Sequence, residues 1–382
     1  MKTKIVGISC RVRGVLCILA ALMFILGATH LAQAQWTAGD TKNAWNGYNS
    51  AYLFSGPEGY EYHFASTIKG TTAVGFWAQA ELIDMAVDAY VWAKTNDSSN
   101  LSSYESEVQD LCDGFEEQHG DDWSSDNYND DLDVAIIAFT RAYGVTSTTK
   151  WLTDAENNFD TVWGRAQEGN GGICQNKALG CYENSSANWT FVIAGHLLTG
   201  ASGNSAYATD ASGVYTWALA NLYQSSTGQI YDARNGVTGQ YSYNYGYAIG
   251  AMSESGADAA MIGQVATYLF NDLTNYAGTT SGGYNILPNY GQGATDNDGG
   301  FNGIVMRWIN TANAHGTIPS ADLAAAKANI TQAWSIREYS SGLPDYLMWD
   351  DWAAATPSSS SGAVYAWDCS SAMVGMLDGQ GW

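Results

Sequence analysis

Residues 73–93 read AVGFWAQAELIDMAVDAYVWA. The run holds about six helical turns, contains no proline, and spreads its apolar residues round every side. A helix without a clean polar face is a buried helix. Leu132–Tyr143, Ala187–Leu198, Tyr243–Met252, Phe301–Ile309 and Ala363–Leu377 share this character. Between them lie amphipathic segments near residues 40–54, 101–116, 150–165, 206–223, 257–275 and 321–336, whose charges recur on one side as in an outer layer. The buried helices begin near residues 72, 130, 186, 241, 300 and 362, a period of about 55 to 63 residues, or one helical hairpin with its loops. Long strictly alternating runs, the mark of exposed-face strands, are missing. Six inner helices ringed by six outer ones make an all-α (α/α)6 toroid, and that is the expected fold.

In such a toroid every inner helix runs the same way, so the six N-termini share one face. Asp130, Asp131, Asn188, Tyr243, Asn244 and Asn302 fall at these starts and together suggest a polar funnel at one end of the barrel. Sugar rings present C–H faces that lie against aromatic planes. Most of the 15 Trp and 24 Tyr must be core, but Trp77, Trp123, Tyr128, Tyr243 and Tyr245 sit at inner-helix starts and are the better candidates for sugar contact. The candidate substrate-binding set is Trp77, Tyr128, Asn129, Asn188, Tyr243, Asn244 and Asn302. The asparagines could bind hydroxyls, yet each could equally cap its helix. Arg307 lies within a helix, where pairing with a buried acid such as Glu81 competes with substrate contact.

The second inner helix opens with DNYNDDLD, residues 126–133. Cleaving a glycosidic bond takes two carboxyl groups, one to protonate the leaving oxygen and one to attack or to activate water. Adjacent carboxylates repel, and repulsion with partial burial keeps one of them protonated near neutrality. Asp130 and Asp131 supply both groups in the smallest span. Aspartates at a helix start also satisfy free N–H groups and the helix dipole, so the residues alone leave capping open as a second reading. Consecutive side chains diverge on a regular helix; a catalytic pair must therefore sit at the loop-to-helix junction.

The N-terminus carries Lys2, Lys4, Arg11 and Arg13, then the apolar run Val15–Leu26, then Ala32-Gln33-Ala34. That is the pattern of a secretory signal over residues 1–34, too short to span a bilayer comfortably. Residues 35–382 are expected to form a single catalytic domain outside the cell, in the medium, wall or periplasm, as a monomer with no stable membrane insertion. Losing the signal leaves 11 of 15 basic residues against 38 acidic ones, a balance of about −27. Nucleic acid and anionic membranes need a basic face and are poor partners; a neutral polysaccharide is compatible. Cys112, Cys174, Cys181 and Cys369 remain in an oxidising compartment. Cys174 and Cys181 close a short loop and form the preferred disulfide, and Cys112 with Cys369 follows by elimination. The spacing lacks CxxC and the histidines are scattered, so zinc is disfavoured. Asp296, Asn297 and Asp298 carry too few ligands for a calcium loop and read as a solvated turn. No metal or cofactor is implied. Glycosylation sequons fall at Asn96, Asn100, Asn184, Asn188 and Asn329, which matters in a eukaryotic host.

The chain resembles glycoside hydrolase family 76, the endo-α-1,6-mannanases and related transglycosidases of mannan. Gly75-Phe76-Trp77-Ala78-Gln79-Ala80-Glu81-Leu82-Ile83-Asp84-Met85, followed by Asp88-Ala89-Tyr90, is similar to the family's first inner helix. Asn129-Asp130-Asp131 with Arg141-Ala142-Tyr143, then Trp163, Gly171-Gly172-Ile173 and Ala187-Asn188, follow in family order. Tyr243-Asn244-Tyr245-Gly246 and Phe301-Asn302-Gly303-Ile304 with Arg307 complete the match. The resemblance implies an (α/α)6 barrel and retaining endo-hydrolysis of α-1,6-mannan, with Asp130 as nucleophile and Asp131 as general acid and then base. Three departures bear on substrate choice. Cys174 and Gln175 stand where the family commonly carries two Trp, Asn302 replaces a Lys, and Tyr245 replaces a Gln. The rival readings are a transglycosidase moving mannan or a glycolipid glycan onto wall polymer, a polysaccharide lyase, and a non-catalytic mannan-binding module. The lyase would need basic residues to neutralise a uronate, against the acidic balance.

Overall fold

The computed structural model describes residues 35–56, 62–176, 180–291, 293, 298–338, 346–358 and 363–382. The signal sequence lies outside the described residues. Chain order begins with helix α1 (Ala38–Tyr52), opened by a capping box: Thr37 Oγ1 accepts from Asp40 N at 3.2 Å and the Asp40 carboxylate accepts from Thr37 N at 2.8 Å. Then come α2 (Phe76–Asn96), α3 (Leu101–His119), α4 (Asn129–Thr146), α5 (Thr149–Ala166), α6 (Ser185–Ser202) and α7 (Ser205–Asn221). The series ends with α8 (Ser242–Glu254), α9 (Ala259–Asn271), α10 (Phe301–Ala314), α11 (Ser320–Ser335) and α12 (Ala366–Asp378). Three antiparallel two-residue ribbons punctuate the loops: β1–β2 (Leu53–Phe54 with His63–Phe64), β3–β4 (Tyr223–Gln224 with Gln229–Ile230) and β5–β6 (Gly278–Thr279 with Asn285–Ile286).

Every even-numbered helix is one of the all-round apolar segments. Each packs on the next, α2 on α4, α4 on α6, α6 on α8, α8 on α10 and α10 on α12, and α12 returns to α2. The ring closes, and the odd-numbered helices lie outside it, so the chain is an (α/α)6 barrel. The burial matches the sequence pattern: residues 185–195 of α6 are buried without a break, whereas α5 buries one face. Close approach within the ring needs small residues. A Cβ on Gly246 of α8 would lie 3.0 Å from the Val305 backbone of α10, tighter than packed side chains tolerate.

The barrel axis is filled by charge rather than by hydrocarbon. Arg307 of α10 is buried against three acids of α2: it pairs with Glu81, with Asp84 at 3.0 Å and with Asp88 at 2.7 Å. Arg141 of α4 pairs with Asp84 and, at 2.7 Å, with Asp88. Of the two roles open to Arg307 in the sequence, pairing with Glu81 is the one present, and the side chain is buried away from the cavity. Burial raises the Asp84 carboxyl to about 6 despite both guanidiniums. Burial also pushes Asp88 upward, but Arg307 and Arg141 outweigh it and hold that carboxyl below its ordinary value.

Cys174 and Cys181 form the expected disulfide. The second expected bridge is corrected: Cys112 and Cys369 are both buried free thiols. Cys112 sits on α3, which packs on α2 and α4, whereas Cys369 sits on α12 and accepts from Tyr52 Oη at 3.4 Å. Pairing by elimination ignores such placement. Among the described residues no helix is long and apolar enough to cross a membrane.

Candidate active site

The chain is delivered into α4 by a turn in which Asp126 Oδ1 accepts from Tyr128 N at 2.7 Å. Tyr128 is the cap residue, extended at φ −94° and ψ 120°, and contributes no side-chain capping bond. The next backbone N–H, that of Asn129, donates to Gln175 O at 2.7 Å. Asp130 and Asp131 therefore occupy the first turn without being the cap, at the junction where the backbone changes direction. Both line one cavity of about 290 Å³ at the N-terminal end of the ring. Its other walls come from four further inner helices or their approaches: Trp77 on α2, Ser186 and Thr190 on α6, Tyr243 and Tyr247 on α8, and Phe301 with Asp298 before α10. Five helix N-termini thus converge on one space, and their positive dipole ends favour an anion there.

The two aspartates have different surroundings. Asp130 is buried, and its Oδ2 accepts from Ser186 Oγ at 2.5 Å and from Gln175 Nε2 at 2.9 Å. Its Oδ1 has no protein partner. Burial raises the Asp130 carboxyl, while the Ser186 and Gln175 hydrogen bonds pull it back. Asp131 is half-buried; desolvation first, and then the neighbouring Asp130 and Asp126 charges, push it well above the usual carboxylate range. The first group is better suited to carry charge and the second to keep a proton. Asp133 lies one turn on, fully buried, with Oδ2 accepting from Thr190 Oγ1 at 3.2 Å. Desolvation and the Asp130 charge raise it strongly.

Aromatic rings form the side walls. Tyr243 meets Phe301 at 4.1 Å between centroids, and Trp77 meets Trp367 of α12 edge-on at 4.8 Å. Tyr128 is 42% exposed at the rim. The Tyr247 hydroxyl donates to Glu81 Oε1 at 2.7 Å, joining the cavity floor to the ion cluster on the axis.

Asp130, Asp131, Trp77, Tyr128 and Tyr243 are thus brought together. Four candidates are not, because their amides are spent on the scaffold. Asn129 is fully buried, donating to Cys174 O at 2.6 Å and accepting from Arg165 Nε at 2.6 Å. Asn188 accepts from Ile173 N at 2.9 Å and donates to Ile173 O and Asn184 O at 3.0 and 2.7 Å. Asn244 donates to Asp232 Oδ1 at 2.9 Å. Asn302 accepts from Ser242 Oγ at 2.7 Å and donates to Pro288 O at 3.0 Å. Each pins a loop to a helix start, and none lines the cavity. Trp123 and Tyr245 are also core residues, the latter stacked on Tyr268. Asn184, Asn188 and Asn329 are buried, which leaves Asn96 and Asn100 as the exposed sequons.

Gln175, Ser186, Thr190, Tyr247 and Phe301 line the site unforeseen. Ser186 had a usable signal, since it opens the third buried helix. Asp298 also lines the cavity rather than a solvated turn; Asp296 and Asn297 lie outside the described residues.

The architecture recurs in solved structures. The GH76A α-1,6-mannanase from Salegentibacter sp. HEL1_6 superposes with a TM-score of 0.73 at 20% identity, covering 90% of this chain and 98% of that one. The Lin0763 protein of Listeria innocua gives 0.72 at 17% identity, with 90% and 96% covered. A family 76 mannosidase of Bacteroides thetaiotaomicron gives 0.70 at 15% identity, with 89% and 96% covered. At these identities the likeness is one of fold. No curated protein matches the sequence significantly. The family model of glycosyl hydrolase family 76 matches residues 31–377, nearly the whole described chain with the Asp130–Asp131 cavity inside it, and the chain belongs to that family of glycoside hydrolases.

Proposed function

We propose that this chain is an exported, retaining endo-α-1,6-mannanase in which Asp130 is the nucleophile and Asp131 the general acid and base. The observation that carries the reading is the unequal pair itself: two adjacent carboxyls in one cavity, one with two donors on a single oxygen, the other driven towards its protonated form. The substrate comes from relatives. The Salegentibacter enzyme is an α-1,6-mannanase, and its inactive variant with two consecutive aspartates changed to asparagine was captured with α-1,6-mannotriose.

In the first step Asp130 attacks the anomeric carbon as the glycosidic C–O bond breaks, and Asp131 gives its proton to the leaving oxygen. A glycosyl ester of Asp130 results. Asp131, now ionised, takes a proton from water, which attacks the same carbon and releases the sugar with its configuration retained. The aromatic walls hold the ring faces. Residues 1–34 direct export and residues 35–382 act as a single catalytic domain, monomeric in solution.

The test is reducing-end release from linear α-1,6-mannan by the wild type, Asp130→Asn and Asp131→Asn. The expected result is hydrolysis by the wild type and a loss of at least about 10³-fold in both variants. A wild type that leaves mannan intact, or an Asp130→Asn variant at full rate, contradicts the reading. Adding a mannobiose acceptor separates hydrolysis from transfer by the lengths of the products.

A further inference from the structure

The segment between α5 and α6 crosses the start of α4 and is tied down on both sides of Gln175. Cys174 N donates to Ala166 O at 3.0 Å, and Gln175 N donates to Tyr182 O at 2.8 Å. Gln175 O accepts from Asn129 N at 2.7 Å, and Cys174 O accepts from Asn129 Nδ2 at 2.6 Å. The disulfide then joins Cys174 to Cys181. Asn129 is itself fixed by Arg165 Nε at 2.6 Å. A glutamine on a free loop would sample many rotamers; here its backbone has no such freedom, and Nε2 rests 2.9 Å from Asp130 Oδ2.

Both Gln175 and Ser186 act on the same oxygen, and the other, Oδ1, is buried without a hydrogen bond. We infer that Gln175, clamped by the Cys174–Cys181 disulfide, is a positioning residue that anchors Asp130 Oδ2 and so holds the carboxylate in place for attack. The inference rests on the reading of Asp130 as nucleophile. The bond that forms is from the Asp130 carboxylate to the anomeric carbon, and the bond that breaks is from that carbon to the leaving oxygen, which takes the Asp131 proton. An amide N–H donated to a carboxylate also favours its charged form. Removing the donor raises the pKa at which Asp130 loses its proton, and the acid limb of kcat/KM follows that pKa in the free enzyme.

The experiment is the pH profile of kcat/KM on linear α-1,6-mannan for the wild type, Gln175→Met and Gln175→Glu. Methionine keeps the length without the donor, and glutamate puts a second charge beside Asp130. The acid limb is expected to move up by about one pH unit in Gln175→Met and further in Gln175→Glu, with thermal midpoints near that of the wild type. Replacing both cysteines (Cys174→Ser with Cys181→Ser) moves the limb in the same direction, and adding Gln175→Met to that pair moves it no further. A limb that stays in place in folded Gln175→Met overturns the inference, as does a disulfide-free enzyme whose limb is unmoved or whose shift simply adds to that of Gln175→Met. Asp130→Asn in the same assay separates the levels. If it is inactive while the Gln175 limb is unmoved, only the positioning role fails; if it is active, the nucleophile assignment fails and takes this inference with it.

Discussion

At the residue scale the site depends on two neighbours being unlike. Adjacent carboxyls repel and lose their protons in two steps, but matched surroundings would not decide which of the two goes first. Here Asp130 receives two hydrogen bonds on Oδ2, whereas Asp131 faces the Asp130 charge. The proposed mechanism needs Asp130 ionised and Asp131 protonated, so activity should appear as pH rises through the Asp130 pKa and disappear as pH rises through that of Asp131. Both are raised, so the bell-shaped profile is expected to lie above the range of two ordinary carboxylates. A kcat/KM profile in mixed buffers at constant ionic strength checks this. Ser186→Ala removes the shorter of the two donors and should move the acid limb up by about one pH unit, costing about tenfold below it. The pair stood out in the sequence only in company: two aspartates at a helix start also read as caps, and the chain-long family resemblance is what singled them out. The asparagines beside it lie outside the cavity for a physical reason: an amide offers both donor and acceptor, and neighbouring backbone and side-chain groups take at least the donor of each.

At the element scale the inner helices were legible because burial on every face leaves its own pattern, and their observed starts differ from the expected ones by four residues or fewer. The first begins at Phe76 rather than Ala73 because Gly75 is extended and forms the cap. Loop geometry was not legible, and Gln175 reaches Asp130 through a loop. The acids of α2 were visible as letters, but their joint pairing with α4 and α10 emerges only when the ring closes. Arg307→Met leaves Glu81 without a cation and Asp84 and Asp88 with Arg141 alone, and should cost about 3–5 kcal/mol, because the loss of one partner leaves uncompensated charge. Gly246→Ala forces α8 from α10 and should cost about 1–3 kcal/mol. Chemical denaturation of both variants against the wild type measures these losses.

At the scale of the whole molecule the acidic chain takes many carboxyls out of water, which raises the pH at which they ionise. Asp131, Asp133 and Asp378 are pushed strongly upward, chiefly by desolvation, and Glu107 at the contact of α1 and α3 is raised to about 8 by burial. A carboxyl raised on folding binds more protons in the native state than unfolded, so its stabilising effect is full at low pH and is lost as pH rises through the folded value. Half-buried His119 and His196 are lowered by desolvation and act in the opposite sense below their ordinary value, but the raised carboxyls outnumber them. Thermal stability should therefore fall from pH 6 to pH 8. Glu107→Gln should flatten that slope in a melting series, by up to about 1.4 kcal/mol per pH unit.

The central claim is that Asp130 becomes glycosylated. In Asp131→Asn the deglycosylating base is gone, while an α-mannobiosyl fluoride needs no acid to leave, so the covalent intermediate should accumulate. Intact mass followed by peptide mapping measures it directly. The expected result is one mannobiosyl unit on the peptide bearing Asp130, fragmented to that residue. A label on another residue, or release of the inverted sugar with no label at any time, would contradict it.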